Sequence, residues 1–418
     1  MQNSARKAGG QPRVEPADRD TIAVFSYGFR PFFLGAAIWA IVALALWIGA
    51  LQGHVQLAPS YGALPWHGHE MLFGYASGVV AGFLLTAVPN WTGRLPVAGV
   101  RLMALFSLWC LGRVVLLATG VTGPLVAVVI DSLFLPCLLI VMGREIVVGQ
   151  NWRNLLPLVL IGLFATANIA FHAEVLTAGA PNYGLRAGVA ALVALIVLIG
   201  GRITPSFTHN WLFRAGSPVL PAPFGLFDKL AVLVTGVALA AWIAFPATTM
   251  TAVLFLVAAV VLGVRLWRWK GTHAWREPLL LVLHLGYAFV PLGFLLGAMS
   301  MLLPGNLTGT AALHAWTVGA VGRRDEQGDA GPYRARARRL AHDRIHLWGD
   351  DCGRPLAHRG RFLPASLHGP TRACGYGLDR SLCSLPRRIC PHAARAAAGA
   401  RFGEMSGRCD TMRQHFSL

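Results

Sequence analysis

Trp66-His67-Gly68-His69-Glu70-Met71-Leu72-Phe73-Gly74-Tyr75 opens a stretch that continues through a nearly uninterrupted apolar segment, Ala76 to Val88. It closes on Pro89-Asn90-Trp91-Thr92-Gly93-Arg94. Crossing the hydrocarbon core of a bilayer takes roughly 20 mostly apolar residues, and this stretch is long enough. Two histidines and a carboxylate stand where the span begins, and a tryptophan and an arginine where it leaves. Ionisable side chains at a membrane span are costly, so His67, His69 and Glu70 are functional candidates from the outset.

The same reading extends outward. The chain is 55% apolar and 13% charged over 418 residues, with a mean hydropathy of +0.55. No ordinary soluble domain of this length has that balance. Backbone polar groups in lipid must be satisfied within helices, so the expected fold is all-α, a polytopic helical membrane protein. Spans are expected at about 32–52, 69–88, 100–119, 124–142, 154–172, 184–201, 229–246, 248–265, 279–302 and 309–322. Residues 1–23 read as a polar cytoplasmic leader, because no short apolar segment is followed by a small-residue cleavage site.

The connections alternate in charge. Arg6, Lys7, Arg13, Arg19 and Arg30 precede the first span, and the connection from Gln52 to Trp66 has no Lys or Arg. Arg94 and Arg101 follow the second span, while Thr119 to Pro124 carries no charge. Arg144 and Arg153, then Arg202, Arg214 and Lys229, then Arg265, Arg268, Lys270 and Arg276 mark every second connection after that. The positive-inside rule assigns that side, and the N-terminus with it, to the cytoplasm of a bacterial inner membrane. This distribution turns the net charge of +18 away from nucleic acid as a partner and towards membrane lipid.

The pattern stops at Gly322. Residues 1–322 hold 27 charged side chains, and the last 96 residues hold another 27, so charge density more than triples. The transmembrane domain is therefore placed at 24–322. Residues 323–418 form an atypical charged tail with no helical or strand period, expected to be disordered. A reading frame advanced by one nucleotide would allow Leu-Ala-Gly-Met-Gly-Trp-Ile-Ala over 373–380, a plausible span. An out-of-frame translation is thus a second reading of the tail, and resequencing decides it.

Topology collects histidines. His67, His69, His172 and His314 are expected at the outer ends of their spans, and His284 near the cytoplasmic end of the ninth. Neutral imidazole is the commonest biological metal ligand and suits iron and copper, so the outer set fits a metal or haem pocket between helices. Glu70 is placed to hold a ligand histidine's second nitrogen or to move a proton. Side chains at i and i+2 point nearly opposite ways on a helix. His67 and His69 therefore converge only if His67 lies in a loop, and otherwise they serve two sites. A lone interfacial histidine is more often hydrogen-bonded than ligating; four at one depth beside a glutamate favour the metal. Arg113 and Asp131, inside the third and fourth spans, should pair with each other or with a cofactor. Arg202 ends a span, where snorkelling competes with a haem-propionate role. Gly68, Gly74, Gly78 and Gly82 read as helix packing.

Several motifs carry a family resemblance. Trp66 to Tyr75 with Ala81 to Pro96, Phe25-Ser-Tyr-Gly-Phe-Arg-Pro-Phe-Phe33, Gly200-Gly-Arg-Ile-Thr-Pro-Ser-Phe-Thr208 and Asn210-Trp211, His284-Leu-Gly-Tyr287 and Ala312-Leu-His-Ala-Trp-Thr-Val-Gly319 resemble the NnrS family from about 24 to 322. The resemblance implies about twelve spans, haem and copper as cofactors, and a place in the bacterial response to nitric oxide or nitrosative stress. It implies His67, His69, His172, His284 and His314 as cofactor-binding positions. It leaves open which histidine binds which metal, and whether the protein turns over, senses or shields; an electron-donor protein is the expected partner. Two other readings compete: a proton- or ion-coupled transporter using Glu70, Arg113, Asp131 and the histidines, and a cytochrome b-like electron-transfer anchor.

Overall fold

A computed structural model describes residues 22–303 and 309–321, and these residues are helical with no strand among them. The tail, and the leader up to residue 21, lie outside the described residues. Among the described residues, nine helices are long and apolar enough to cross a membrane. They are α1 Phe29–Leu51, α2 Ala63–Thr92, α3 Val100–Leu117, α4 Pro124–Val148, α5 Leu155–Ala178, α6 Tyr183–Arg214, α7 Leu226–Ala244, α8 Thr249–Arg268 and α9 Pro278–Leu302. A shorter α10, Gly309–His314, continues as the π-turned segment Ala315–Val321. Together they cover the expected tenth span, 309–322, to within one residue, and among the described residues the segment is shorter than a membrane crossing needs.

Two boundaries differ from expectation in ways that matter. α2 starts six residues early, because Gly62 at φ +94° turns the chain directly into it and Pro65 sits in its first turn, where a missing N–H costs nothing. His67 thus lies inside the helix, and the condition for it to meet His69 fails. α6 runs on past Gly201 through Pro205 to Arg214. Pro205 has no N–H, which frees the carbonyl of Gly201 four residues back. The Arg265 side chain of α8 donates to that carbonyl at 3.4 Å and to the Val197 carbonyl at 3.1 Å. A Cβ on residue 201 would stand 2.5 Å from this guanidinium, so Gly201 admits the arginine that mends the break. Asp228 Oδ1 accepts from Arg265 Nε at 2.9 Å and balances its buried charge.

Packing follows small residues. α1 lies on α2 where Gly78 and Gly82 face Ala36, Phe32 and Phe33. α2 packs on α4, α4 on α3 and α5, and α5 on α6. α6 also contacts α7 and α9, and its run from Val189 to Gly201 is almost wholly buried. The faces turned away from these contacts carry Leu34, Ile38, Ile41, Val129, Ile140 and Val260, all exposed, as lipid-facing surfaces should.

Glu174 caps α6. Its carboxylate accepts from the backbone N–H groups of Asn182, Tyr183 and Gly184 at 2.6, 2.9 and 3.1 Å. A carboxylate suits both the orphan donors and the positive end of the helix dipole. Glu174→Ala is expected to lower stability by about 1–2 kcal/mol, and Glu174→Gln by less, read as thermal midpoints in detergent. Equal midpoints for the two variants and the parent would count against the cap.

Candidate metal centre

Five helices and one connection bring their polar side chains to a single buried point. His69 and Glu70 come from α2, Arg113 from α3, Asp131 from α4, Asn168 and His172 from α5, and Trp39 from α1; Tyr61 reaches in from the α1–α2 connection. His69, Asp131 and His172 lie six or seven residues from one end of their helices, about 10 Å deep at 1.5 Å per residue. His69, Glu70 and His172 are fully buried, and Asn168, Arg113 and Asp131 are within 3% of it.

Local sequence explains the convergence. Glu70 opens a π-helical turn, Glu70–Tyr75, inside the otherwise α-helical α2. Such a turn inserts a residue and re-aims the side chains that follow, and it recurs at functional sites. Gly74 then leaves the space in which Glu70 sits, since a Cβ there would lie 2.4 Å from Glu70 Oε2. Gly112 does the same for Asp131, at 2.8 Å from Oδ1. On α5, Asn168 and His172 are four residues apart and share a face.

The inner atoms converge on Asp131 Oδ2. His172 Nε2 is 3.0 Å from it, His69 Nε2 is 3.1 Å from it, and Asn168 Nδ2 donates to it at 3.0 Å. The outer atoms are each anchored by another group. Glu70 Oε1 stands 3.1 Å from His69 Nδ1, Tyr61 Oη 2.8 Å from His172 Nδ1, and Arg113 donates to Asp131 Oδ1. Arg113 Nε is also in charge contact with Glu70 Oε2 at 2.9 Å, to which Trp39 Nε1 donates at 2.7 Å. Burial and the nearby carboxylates of Asp131 and Glu70 push the Tyr61 hydroxyl well above its ordinary range, so it stays protonated. His172 Nε2 donates to Asp131, leaving Nδ1 to accept from Tyr61.

Charge decides what the cluster can hold. Glu70 and Asp131 carry two negative charges and Arg113 one positive. Both ring nitrogens of His69 face oxygens, Nδ1 at Glu70 and Nε2 at Asp131 and Asn168, so both donate and the ring is cationic. The buried cluster is then neutral, as low dielectric requires. A divalent cation among His69, Asp131 and His172 would displace a His69 proton and meet the one net negative charge that Glu70 and Asp131 leave against Arg113. One ligand atom from each lies within 4.8 Å of the others, which makes them a metal-competent group among the described residues.

The remaining candidates lie elsewhere. His67 stacks on Trp47 with ring centroids 4.5 Å apart, and its Nδ1 is buried without a hydrogen-bond partner. His314 is exposed, with Nδ1 donating to the Thr310 carbonyl at 2.8 Å, close enough to His67 for the two rings to interact electrostatically. His284, near the arginine-rich end, donates from Nδ1 to the Leu280 carbonyl and leaves Nε2 buried and unpartnered. Arg202 is half-buried at that same end, 3.4 Å from Asn154 Oδ1, away from the centre. The outer histidines therefore do not form one pocket: His69 and His172 meet, and His67 with His314 stands apart. Sequence reading missed Asn168, Tyr61 and Trp39. Only Asn168 left a signal, as an amide four residues before a histidine in an otherwise apolar helix.

A family model described as NnrS protein matches residues 23–323. No match was found among curated proteins or among solved structures.

Proposed function

The chain belongs to the NnrS family, and from that premise we propose that it is a metal-bearing protein of the bacterial cytoplasmic membrane that serves the response to nitric oxide. The observation that carries the reading is the convergence of His69, Asp131 and His172 from three helices, each with its outer atom held by another side chain. Metal-ligating histidines usually donate their other ring nitrogen to a carboxylate or comparable partner, which fixes the ring. Residues placed for a metal and then buried among apolar helices suit a small uncharged gas that partitions into lipid. By the charge bias of the connections, the centre lies in the outer half of the membrane.

The two cofactors implied by the family fit differently. A copper or iron ion fits the buried centre by its donor set of two imidazoles and one carboxylate. Haem does not fit there, because these side chains are closed over one another at hydrogen-bond distance and leave no room for a macrocycle. The imidazoles whose ring nitrogens are open to a haem iron are those of His67, His284 and His314. A bound redox metal would supply nitric oxide binding and electron transfer, for which an electron-donor protein is the natural partner. This chain's own residues hold the ligands in place and exclude water.

Cells making the protein are expected to withstand nitric oxide better than cells making His172→Gln at equal membrane level, and purified protein should retain metal that the variant lacks. Undiminished protection by His172→Gln would sink the reading. The rival is ion-coupled transport through the same ionisable cluster. Flux into proteoliposomes under a pH gradient, from a preparation free of metal, would favour it.

A further inference from the structure

We propose that the buried centre takes a bare ferrous ion as its resident metal, held by His69 Nε2, Asp131 Oδ2 and His172 Nε2. The inference rests on the reading of that centre as a metal site and names the metal class it selects. Two histidines and one carboxylate, with coordination positions left over, are the ligand pattern of non-haem iron(II) that binds diatomic gases. No thiolate joins the group among the described residues: Cys110 and Cys137 are free and stand outside it. Copper(I) favours thiolate and thioether ligands, so of the two ions a hard carboxylate and two imidazoles favour iron(II) over copper(I).

The surroundings fit an ion of that kind. Glu70 behind His69 makes the ring a more basic ligand, and Tyr61 does the corresponding positioning for His172. Arg113 holds Asp131 by Oδ1 and leaves Oδ2 to the ion. Glu70 and Asp131 against Arg113 leave one net negative charge when the imidazoles are neutral, and a divalent ion is attracted by it. Binding replaces the Nε2 proton of His69, which leaves to water. His172 keeps its proton but carries it on Nδ1, facing Tyr61.

The test uses the full chain, purified without oxygen in detergent and loaded with ferrous or cuprous salt in parallel. Metal is counted by mass spectrometry, and nitric oxide is then added for electron paramagnetic resonance. The expected result is about one iron per chain and a quartet-spin nitrosyl resonance, distinct from the doublet of a haem nitrosyl. Asp131→Asn, which keeps the side-chain volume, should abolish the resonance, and Tyr61→Phe should weaken iron binding roughly 10- to 100-fold. Because the metal comparison is made on the unaltered chain, misfolding of a variant cannot hide the answer. Copper binding at the centre in preference to iron overturns this inference and leaves the functional reading standing. So does iron seen only as a haem nitrosyl, or a quartet signal that survives Asp131→Asn. No metal and no nitric oxide response overturns both.

Discussion

Arg113→Leu is expected to cost about 3–5 kcal/mol, enough to remove most folded protein from the membrane fraction. Arg113 is buried between two carboxylates, Glu70 at 2.9 Å and Asp131, and is the only arginine to touch either in the described structure. Without it, one carboxylate stays paired to His69 and the other becomes an uncompensated buried charge. Attraction lost and desolvation left unpaid act in the same direction. Arg113→Lys should recover only part, since one ammonium cannot reach Glu70, Asp131 and the Phe73 carbonyl together. The comparison that gives the number meaning is Arg94→Leu. Arg94 also pairs with a glutamate, Glu145 at 2.5 Å, but its side chain is 35% exposed and the buried Glu145 keeps a second arginine, Arg144 at 3.6 Å, so the loss should be about 1 kcal/mol. Unfolding by denaturant in detergent should separate the two variants several-fold. Adding Glu70→Gln to Arg113→Leu should restore part of the loss, with a coupling of roughly 0.5–3 kcal/mol. Equal losses for Arg113→Leu and Arg94→Leu would remove the charge cluster from the account of stability.

The same cluster marks how far the sequence could be read. Hydropathy placed nine spans to within six residues at every end but the last of α6, which runs thirteen residues further, because the bilayer imposes a length on composition alone. Arg113 and Asp131 could be singled out for the same reason: charge inside an apolar helix needs a partner. Which partner was beyond a linear reading, since it depends on helix rotation. α2 shows this clearly. An ideal helix from Ala63 onward fixes the angle between His67 and His69, but the π-turn at Glu70–Tyr75 resets the angle of everything after it. Nothing in Glu-Met-Leu-Phe-Gly-Tyr announces that turn. Depth could be read and azimuth could not, so His67 and His314 were grouped with His69 and His172, from which the fold separates them. Pro205 illustrates the opposite error. The span reads as ending at Arg202, yet α6 continues through Pro205 because a guanidinium from another helix fills the gap the proline leaves.

Azimuth is set by close contacts, and the tightest of them leads to the second large effect. Gly184→Ala is expected to destabilise the protein by about 3 kcal/mol or more and to disrupt the centre as well. A Cβ at 184 would lie 2.2 Å from the backbone nitrogen of Phe171 and 2.4 Å from its Cα. Side chains can rotate out of such a clash, but backbone inside α5 cannot. The two helices must part by about 1 Å for the contact to reach even 3.4 Å, the start of ordinary van der Waals distance. His172 follows Phe171 directly, so its ring travels with that shift. Its 3.0 Å contact to Asp131 would lengthen past hydrogen-bond range, and the Tyr61 contact on the far side of the ring would be strained. Glu174, three residues on, would lose its grip on the first N–H groups of α6 at the same time. Gly162→Ala is the matched control, because it lies in α5, the helix on which Gly184 presses, and a Cβ there meets nothing closer than Leu139 at 3.7 Å. It should leave stability unchanged or raise it by about 0.5–1 kcal/mol, as alanine favours a helix interior. Thermal midpoint and retained metal should therefore both fall in Gly184→Ala and neither in Gly162→Ala. A Gly184→Ala protein that melts with its control and keeps its metal would mean that α5 and α6 are not held at the separation that brings His172 to Asp131.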